Sequence, residues 1–212
     1  MPSREIQERM QSLKLSTVQR EALVGLLLGD GCLESRNKFQ TYRLKIEQSA
    51  RHEAYVRHIL DVFRPWVLSG PRMRSSTRNG KEHVSWAFNT VSHAAFRFYG
   101  QQFYADQQKQ VPRLIHRWLT PRAIAYWFMD DGSIKSRQSK GVIFNTQGFP
   151  RQDVERLCDV LDQQFGLLAQ TRRQKDGLQI FVSGKSYERF VDLIGPFVID
   201  SMRYKIPNAR RT

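Results

Sequence analysis

Two stretches of the chain are apolar through successive helical turns and end on the same acidic signal. They are Leu23-Val24-Gly25-Leu26-Leu27-Leu28-Gly29-Asp30-Gly31 and Ile124-Ala125-Tyr126-Trp127-Phe128-Met129-Asp130-Asp131-Gly132. Each predicts a buried helix closing on Asp-Gly. Ser16-Thr17-Val18-Gln19 has the form of a capping box in front of the first, and Thr120-Pro121 supplies an N-cap and a proline at the first helical position for the second. Behind the first helix, Tyr42 to Glu47 alternates apolar and charged residues as a half-buried strand does, with Arg43 and Lys45 on the exposed face. Tyr55, Val56, Ile59, Leu60 and Phe63 predict a helix over 52–63 that Pro65 ends. Two strands follow, 67–75 and 82–90, turning at Asn79-Gly80, and then a helix that Ser92 caps.

The second half repeats this order. A strand is expected over 141–146, an amphipathic helix over 152–165, a hairpin of 168–174 with 178–182 turning at Asp176-Gly177, and a closing helix over 186–194. Asp30 and Asp131 stand 101 residues apart, and the pattern reads as an internal duplication. Lys109-Gln110-Val111-Pro112 begins 79 residues after Asp30, and Lys205-Ile206-Pro207 begins 74 residues after Asp131. Each half thus ends in a lysine shortly before a proline. The expected organisation is an extension over 1–15, half-domains over 16–112 and 120–212, and a connection over 113–119.

An aspartate at a helix C-terminus lies beside carbonyl ends carrying about half a negative charge, which costs roughly 0.3–1 kcal/mol. Side by side, two such carboxylates repel one another, and a hard divalent cation between them is the simplest relief. The alternative is that each Asp-Gly merely ends a helix, with glycine at the left-handed C′ position.

Composition narrows the partner. Lys and Arg number 34 against 20 Asp and Glu, a formal charge of +14, the electrostatic footprint of a polyanion binder. The basic residues are spread along the whole chain instead of lining one amphipathic helix, which favours nucleic acid over a membrane surface. No stretch has the form of a secretion signal or a bilayer span, so a soluble intracellular protein is expected, in a bacterial cytoplasm or an organelle matrix or stroma. Cys32 and Cys158 are too few and too isolated for a disulfide framework or thiolate zinc site.

With Asp30-Gly31, Trp127-Phe128-Met129-Asp130-Asp131-Gly132, Asn145-Thr146-Gln147 and Tyr204-Lys205-Ile206-Pro207 in view, the chain resembles the LAGLIDADG homing endonucleases in their single-chain, two-motif form, from about Leu15 to Asn208. The resemblance implies an α+β fold of two αββαββα units related by a pseudo-twofold axis, with paired motif helices at the centre and two antiparallel sheets forming a saddle over DNA. It implies a monomer that makes double-strand breaks in a long double-stranded DNA site across the minor groove, leaving short 3′ overhangs. It assigns Asp30 and Asp131 to Mg²⁺ or Mn²⁺ at the scissile phosphates, and Lys109 and Lys205 to the neighbourhood of the attacking water. Gln48 and Gln147 are candidates for positioning that water. One departure stands out: the two small motif positions are Gly25 and Gly29 in the first copy but Tyr126 and Asp130 in the second, so helix packing is expected to be asymmetric.

For DNA contact the candidates are Arg43, Lys45, Arg72, Arg74, Arg78 and Lys81 in the first half, and Lys135, Arg137, Lys140, Arg172, Arg173 and Lys175 in the second. A β-ribbon entering the major groove offers alternate side chains to base edges, arginine suiting guanine and lysine suiting phosphate. Binding is expected to weaken with salt by roughly 0.9 log unit per log unit for each phosphate neutralised. Two other functions fit the same scaffold, an intron maturase acting on RNA and a non-catalytic DNA-binding regulator. Retention of both aspartates and both lysines favours the nuclease.

Overall fold

The structure is a computed structural model describing residues 12–78, 80–136 and 138–207, with the side chain of Arg78 left aside. The sequence readings on residues 1–11, the Arg78 side chain, Asn79, Arg137 and Asn208 therefore lie outside the described residues.

The fold is α+β. In the first half, α1 (Thr17–Leu28) is followed by β1 (Cys32–Glu34), β2 (Arg43–Ser49), α2 (Glu53–Val62), β3 (Arg72–Arg78), β4 (Lys81–Asn89) and α3 (Arg97–Phe103). A small hairpin follows, β5 (Tyr104–Ala105) with β6 (Gln108–Lys109). The second half runs α4 (Pro121–Asp131), β7 (Gly132–Ile134), β8 (Val142–Phe144), α5 (Arg151–Phe165), β9 (Ala169–Gln174), β10 (Gly177–Val182) and α6 (Tyr187–Ile194). Leaving β5 and β6 aside, each half is αββαββα. The two four-stranded sheets are antiparallel, in the orders β1-β2-β4-β3 and β7-β8-β10-β9.

Packing divides the chain into two compact units, the first holding residues up to Arg20 together with Asp30–Gln101, the second holding Glu21–Gly29 together with 102 onwards. In the first unit, Leu44, Ile46 and Phe88 on one sheet face meet Tyr55, Val56 and Ile59 of α2, all buried. The capping box forms as expected: Ser16 N–H donates to Gln19 Oε1 at 3.0 Å and Gln19 N–H to Ser16 Oγ at 3.2 Å. Gln19 also ties the core, donating to Val62 O at 2.8 Å and accepting from the Trp66 indole at 3.2 Å. In the second unit Leu23, Leu26 and Leu27 are buried with Ile124, Trp127 and Phe128. Phe144 centres an aromatic cluster there, 4.2 Å from Trp127 and 5.5 Å from Phe128 between ring centroids.

Several boundaries differ from expectation for identifiable reasons. The strand expected from Val67 begins at Arg72, because Pro71 has no N–H for the ladder and Gly70 precedes it. His93, not Ser92, caps the next helical turn, its Nδ1 accepting from Ala95 N–H at 2.9 Å, while Ser92 Oγ is engaged with Thr41 Oγ1 at 2.7 Å. The second hairpin turns at Lys175-Asp176, with Gly177 paired to Gln174. Neither motif glycine is left-handed: Gly132 has φ −76° and ψ 148° and leads straight into β7, and Gly31 has no positive φ. A Cβ on Gly132 would lie 2.5 Å from Phe128 Cε2, so close approach and not backbone conformation demands glycine.

Cys158 is buried, and burial, followed by the charges of Asp159 and Glu155, pushes its thiol up to about 12. At pH 8 it stays protonated and inert. Iodoacetamide treatment of the native protein should label half-buried Cys32 first, with Cys158 modified only after unfolding, as read by mass spectrometry.

Candidate functional site

The motif helices meet at the two glycines of the first. Within the second unit, a Cβ added to Gly25 would stand 2.7 Å from Tyr126 Cβ and would press on the Ala123 carbonyl. One added to Gly29 would stand 2.5 Å from Asp130 Cβ and Oδ2. The asymmetry in the sequence is thus complementary: the first helix supplies two missing side chains, and the second fills that space with Tyr126 and Asp130. Burial in this contact pushes the Tyr126 phenol up to about 12 against the opposing charge of Arg122.

An aspartate closes each helix, Asp30 two residues past the end of α1 and Asp131 as the last residue of α4, and each end is met by a lysine. Asp30 is exposed, and its Oδ2 accepts from Gln48 Nε2 at 2.9 Å. Gln48 Oε1 lies 3.5 Å from His52 Nδ1, which holds the amide from its other side. Lys109 reaches the end of α1 from the β5-β6 hairpin, where Asp106 and Gln107 take positive φ angles of 47° and 64° to close the two-residue turn. Its ammonium donates to Gly29 O at 2.5 Å. In the second copy Lys205 closes a 3₁₀ segment, Asp200–Lys205, and donates to Met129 O at 2.5 Å and Asp130 O at 2.8 Å. The Tyr187 hydroxyl anchors the chain just beyond, donating to Pro207 O at 2.7 Å.

These lysines supply what the sequence left unexplained. Carbonyls of the last helical turn concentrate the negative end of the helix dipole, and an ammonium seated on them offsets the cost of placing a carboxylate there. A cation other than a metal therefore provides part of the compensation. Lys205→Met should remove two charge-assisted bonds and destabilise the protein by about 2 kcal/mol in urea unfolding. An unchanged midpoint would show that these bonds contribute nothing.

The second copy has a partner that sequence reasoning missed. Gly132 pairs with Phe144, which brings Asn145 level with Asp131. Asn145 donates to Asp131 O through both its backbone N–H and its Nδ2, each at 3.0 Å, and its Oδ1 accepts from Gln179 Nε2 at 2.7 Å. Gln147 lies two residues beyond, its backbone against Gly177. The amide beside the second aspartate is thus Asn145, whereas in the first copy it is Gln48. Spacing from the aspartate pointed to Gln147. Counting pairs from the helix end would have found Asn145.

Strand register places the basic candidates. In the first sheet Arg43 and Lys45 share a face with Arg72, Arg74 and Lys81, through the pairs Lys45↔Asn89, Arg72↔Ala87, Arg74↔Ser85 and Arg78↔Lys81. This face is opposite the one that buries Leu44 and Ile46. Glu34 and Glu47 are interleaved with the bases: Arg43 lies 2.7 Å from Glu34 Oε2, Lys45 3.4 Å from its Oε1, and Arg74 3.7 Å from Glu47 Oε2. Burial alone would raise the Glu34 carboxyl, but the Arg43 hydrogen bond and the Lys45 and Arg43 charges outweigh it and hold it below the usual range. These pairs fix the fork of Arg43 on the open face. A concavity of about 690 Å³ runs along this side, bordered by Arg43, Arg72, Arg74 and Asn89.

In the second sheet consecutive residues part company. Arg172 pairs with Gln179 and lies on the face opposite buried Ile180 and Val182, whereas Arg173 pairs with Leu178 and lies on the other face. Lys135 reaches the Arg172 face, its ammonium 4.9 Å above the Phe181 ring, and Lys140 stands 4.6 Å above the Tyr187 ring. Lys175 is exposed in the hairpin turn.

A family model described as the LAGLIDADG DNA endonuclease family matches residues 20–190. The probable intron-encoded endonuclease 1 of Wickerhamomyces canadensis is 32% identical over 204 residues, covering 93% of this chain and 87% of that protein. The cytochrome b mRNA maturase bI2 of Debaryomyces hansenii is 27% identical over 197 residues, covering 89% of this chain and 73% of the maturase. A solved structure of the homing endonuclease I-WcaI bound to its DNA recognition sequence matches with a TM-score of 0.91 at 31% identity, covering 98% of this chain and 94% of that one.

Proposed function

Because this chain belongs to the LAGLIDADG DNA endonuclease family, we propose that it is a site-specific endonuclease that breaks both strands of a long DNA target and leaves short 3′ overhangs. The observation that carries this reading is the repeated helix end, an aspartate on a lysine-neutralised helix, in a chain whose first sheet turns an open basic face outward.

Asp30 and Asp131 are the proposed ligands of Mg²⁺ or Mn²⁺. Their donors are hard carboxylate oxygens, and no group of three or more His, Cys, Asp or Glu able to hold a metal exists among the described residues. Two carboxylates completed by phosphate oxygens and water is the usual magnesium arrangement at a phosphoryl centre, so the residues fit. A divalent cation there supplies Lewis-acid relief of the charge that builds on the phosphate during hydrolysis. The chain's own contribution is placement. Gln48 holds Asp30 through one carboxylate oxygen, Asn145 fixes the Asp131 backbone, and Lys109 and Lys205 keep the helix ends electrostatically tolerable. The two ammonium groups are also proposed to act near the scissile phosphates, where a compact charge suits the water or the departing oxygen.

The proposed form is one chain carrying both half-domains, 16–112 and 120–212, acting as a monomer inside the cell. No helix among the described residues is long and apolar enough to cross a membrane. Incubation with a library of randomised duplex sites and Mg²⁺ should yield one family of cut sequences bearing 3′ overhangs. Absence of cleavage at any site in Mg²⁺ and in Mn²⁺ would overturn the proposal. The likeness to a cytochrome b mRNA maturase supports a second reading in which the protein also binds intron RNA. That reading requires RNA affinity that survives Asp131→Asn.

A further inference from the structure

The outward faces of the two sheets are chemically unlike. In the first, the outward positions carry guanidinium and ammonium groups interleaved with Glu34 and Glu47: Arg72 and Arg74 on β3 stand across from Ala87 and Ser85 of β4, and Arg43 and Lys45 lie on the same face of β2, on the far side of β4. In the second, the corresponding positions are mostly amides. Gln170, Arg172 and Gln174 alternate along β9, and Gln179 on β10 pairs with Arg172. Among the described residues, Asn89 is the only amide on the strands of the first face, and Arg172 the only arginine on the strands of the second.

Base edges discriminate between these groups. A guanidinium makes two bonds to O6 and N7 of guanine, both acceptors, and a carboxamide makes one bond to N7 and one from N6 of adenine, an acceptor and a donor. Gln179 commits one amide hydrogen to Asn145 Oδ1 and so keeps its second hydrogen and its carbonyl oxygen, the pair that adenine requires. Gln170 is exposed. Phosphate attraction also differs between the faces, because an amide releases no counterion.

We infer that the DNA target is lopsided: the half-site read by the first sheet carries guanine at its contacted positions, and the half-site read by the second carries adenine opposite Gln170 and Gln179. The inference rests on the site-specific DNA reading proposed for this chain.

The experiment is recovery of bound sequences from a randomised duplex library with divalent cation present, using the Asp131→Asn protein so that sites remain uncut. The expected pool has a guanine-rich half and an adenine-rich half. Adding Gln170→Ala and Gln179→Ala should relax adenine preference in one half only, by about 5- to 150-fold at each affected position. Arg72→Ala with Arg74→Ala should relax guanine preference in the other half. Gln179→Arg should convert one adenine position to guanine, a gain that misfolding cannot produce. Relaxation of the same half by both alanine pairs, or loss of a base other than adenine under the glutamine pair, would overturn the lopsided site while leaving sequence-specific binding intact. A parent pool indistinguishable from the input library would instead overturn the DNA reading itself and this inference with it.

Discussion

Asp131→Asn is expected to lower cleavage of both strands by at least about 10³-fold while changing DNA affinity by less than about tenfold. Asp30→Asn should behave alike. The substitution preserves size and removes one formal charge from the proposed cation site, whereas affinity rests on many contacts along the sheets. It also leaves untouched the bonds from Asn145 to the Asp131 carbonyl, since those involve the backbone. Taking a carboxylate off a helix C-terminus would by itself gain about 0.3–1 kcal/mol. The ammonium of Lys205 on the Met129 and Asp130 carbonyls already supplies compensation, so the stability change should be at the small end of that range. Single-turnover cleavage of a supercoiled target, scored separately for nicking and linearisation, measures the effect. Nicking at the parent rate by either variant would remove that aspartate from the metal site.

The second large effect is on stability. Gly25→Val should cost about 3 kcal/mol and lower the melting temperature by about 6–12 °C. The new Cβ would meet Tyr126 Cβ at 2.7 Å and press on the Ala123 carbonyl. Neither can rotate aside, because one is the root of a side chain and the other is backbone, so the helices must part. Gly148→Ala is the control: nothing lies within 4 Å of a Cβ there, and its effect should stay within about 0.5 kcal/mol. Equal melting of the Gly25 variant and the parent would mean that the helices do not approach at Gly25.

Much of this molecule was legible residue by residue. The capping box at Ser16 and Gln19, the Thr120-Pro121 start and the amphipathic run of α5 are local signals, and each became the element it predicted. The errors lie where a neighbour in space overrules a neighbour in sequence. Ser92 is the better capping residue by propensity, but Thr41 engages it and His93 takes the cap. Arg172 and Arg173 look equivalent as adjacent bases, yet in a strand adjacent means opposite faces. Gln147 looked like the partner of Gln48 by distance along the chain, but ladder pairing puts Asn145 at Asp131.

From the order of residues alone came the duplication, the two acid-ended helices, the basic excess and the two lysines that echo one another, because periodicity, charge and spacing are properties of the chain itself; the full αββαββα order came from the family resemblance. Only the tertiary structure decided that Gly25 and Gly29 are hollows filled by Tyr126 and Asp130, that the lysines sit on helix carbonyls, and that the second sheet offers amides where the first offers arginines. Each of those depends on which atoms lie within a few ångströms across elements remote in sequence, and strand register and helix contact set that proximity.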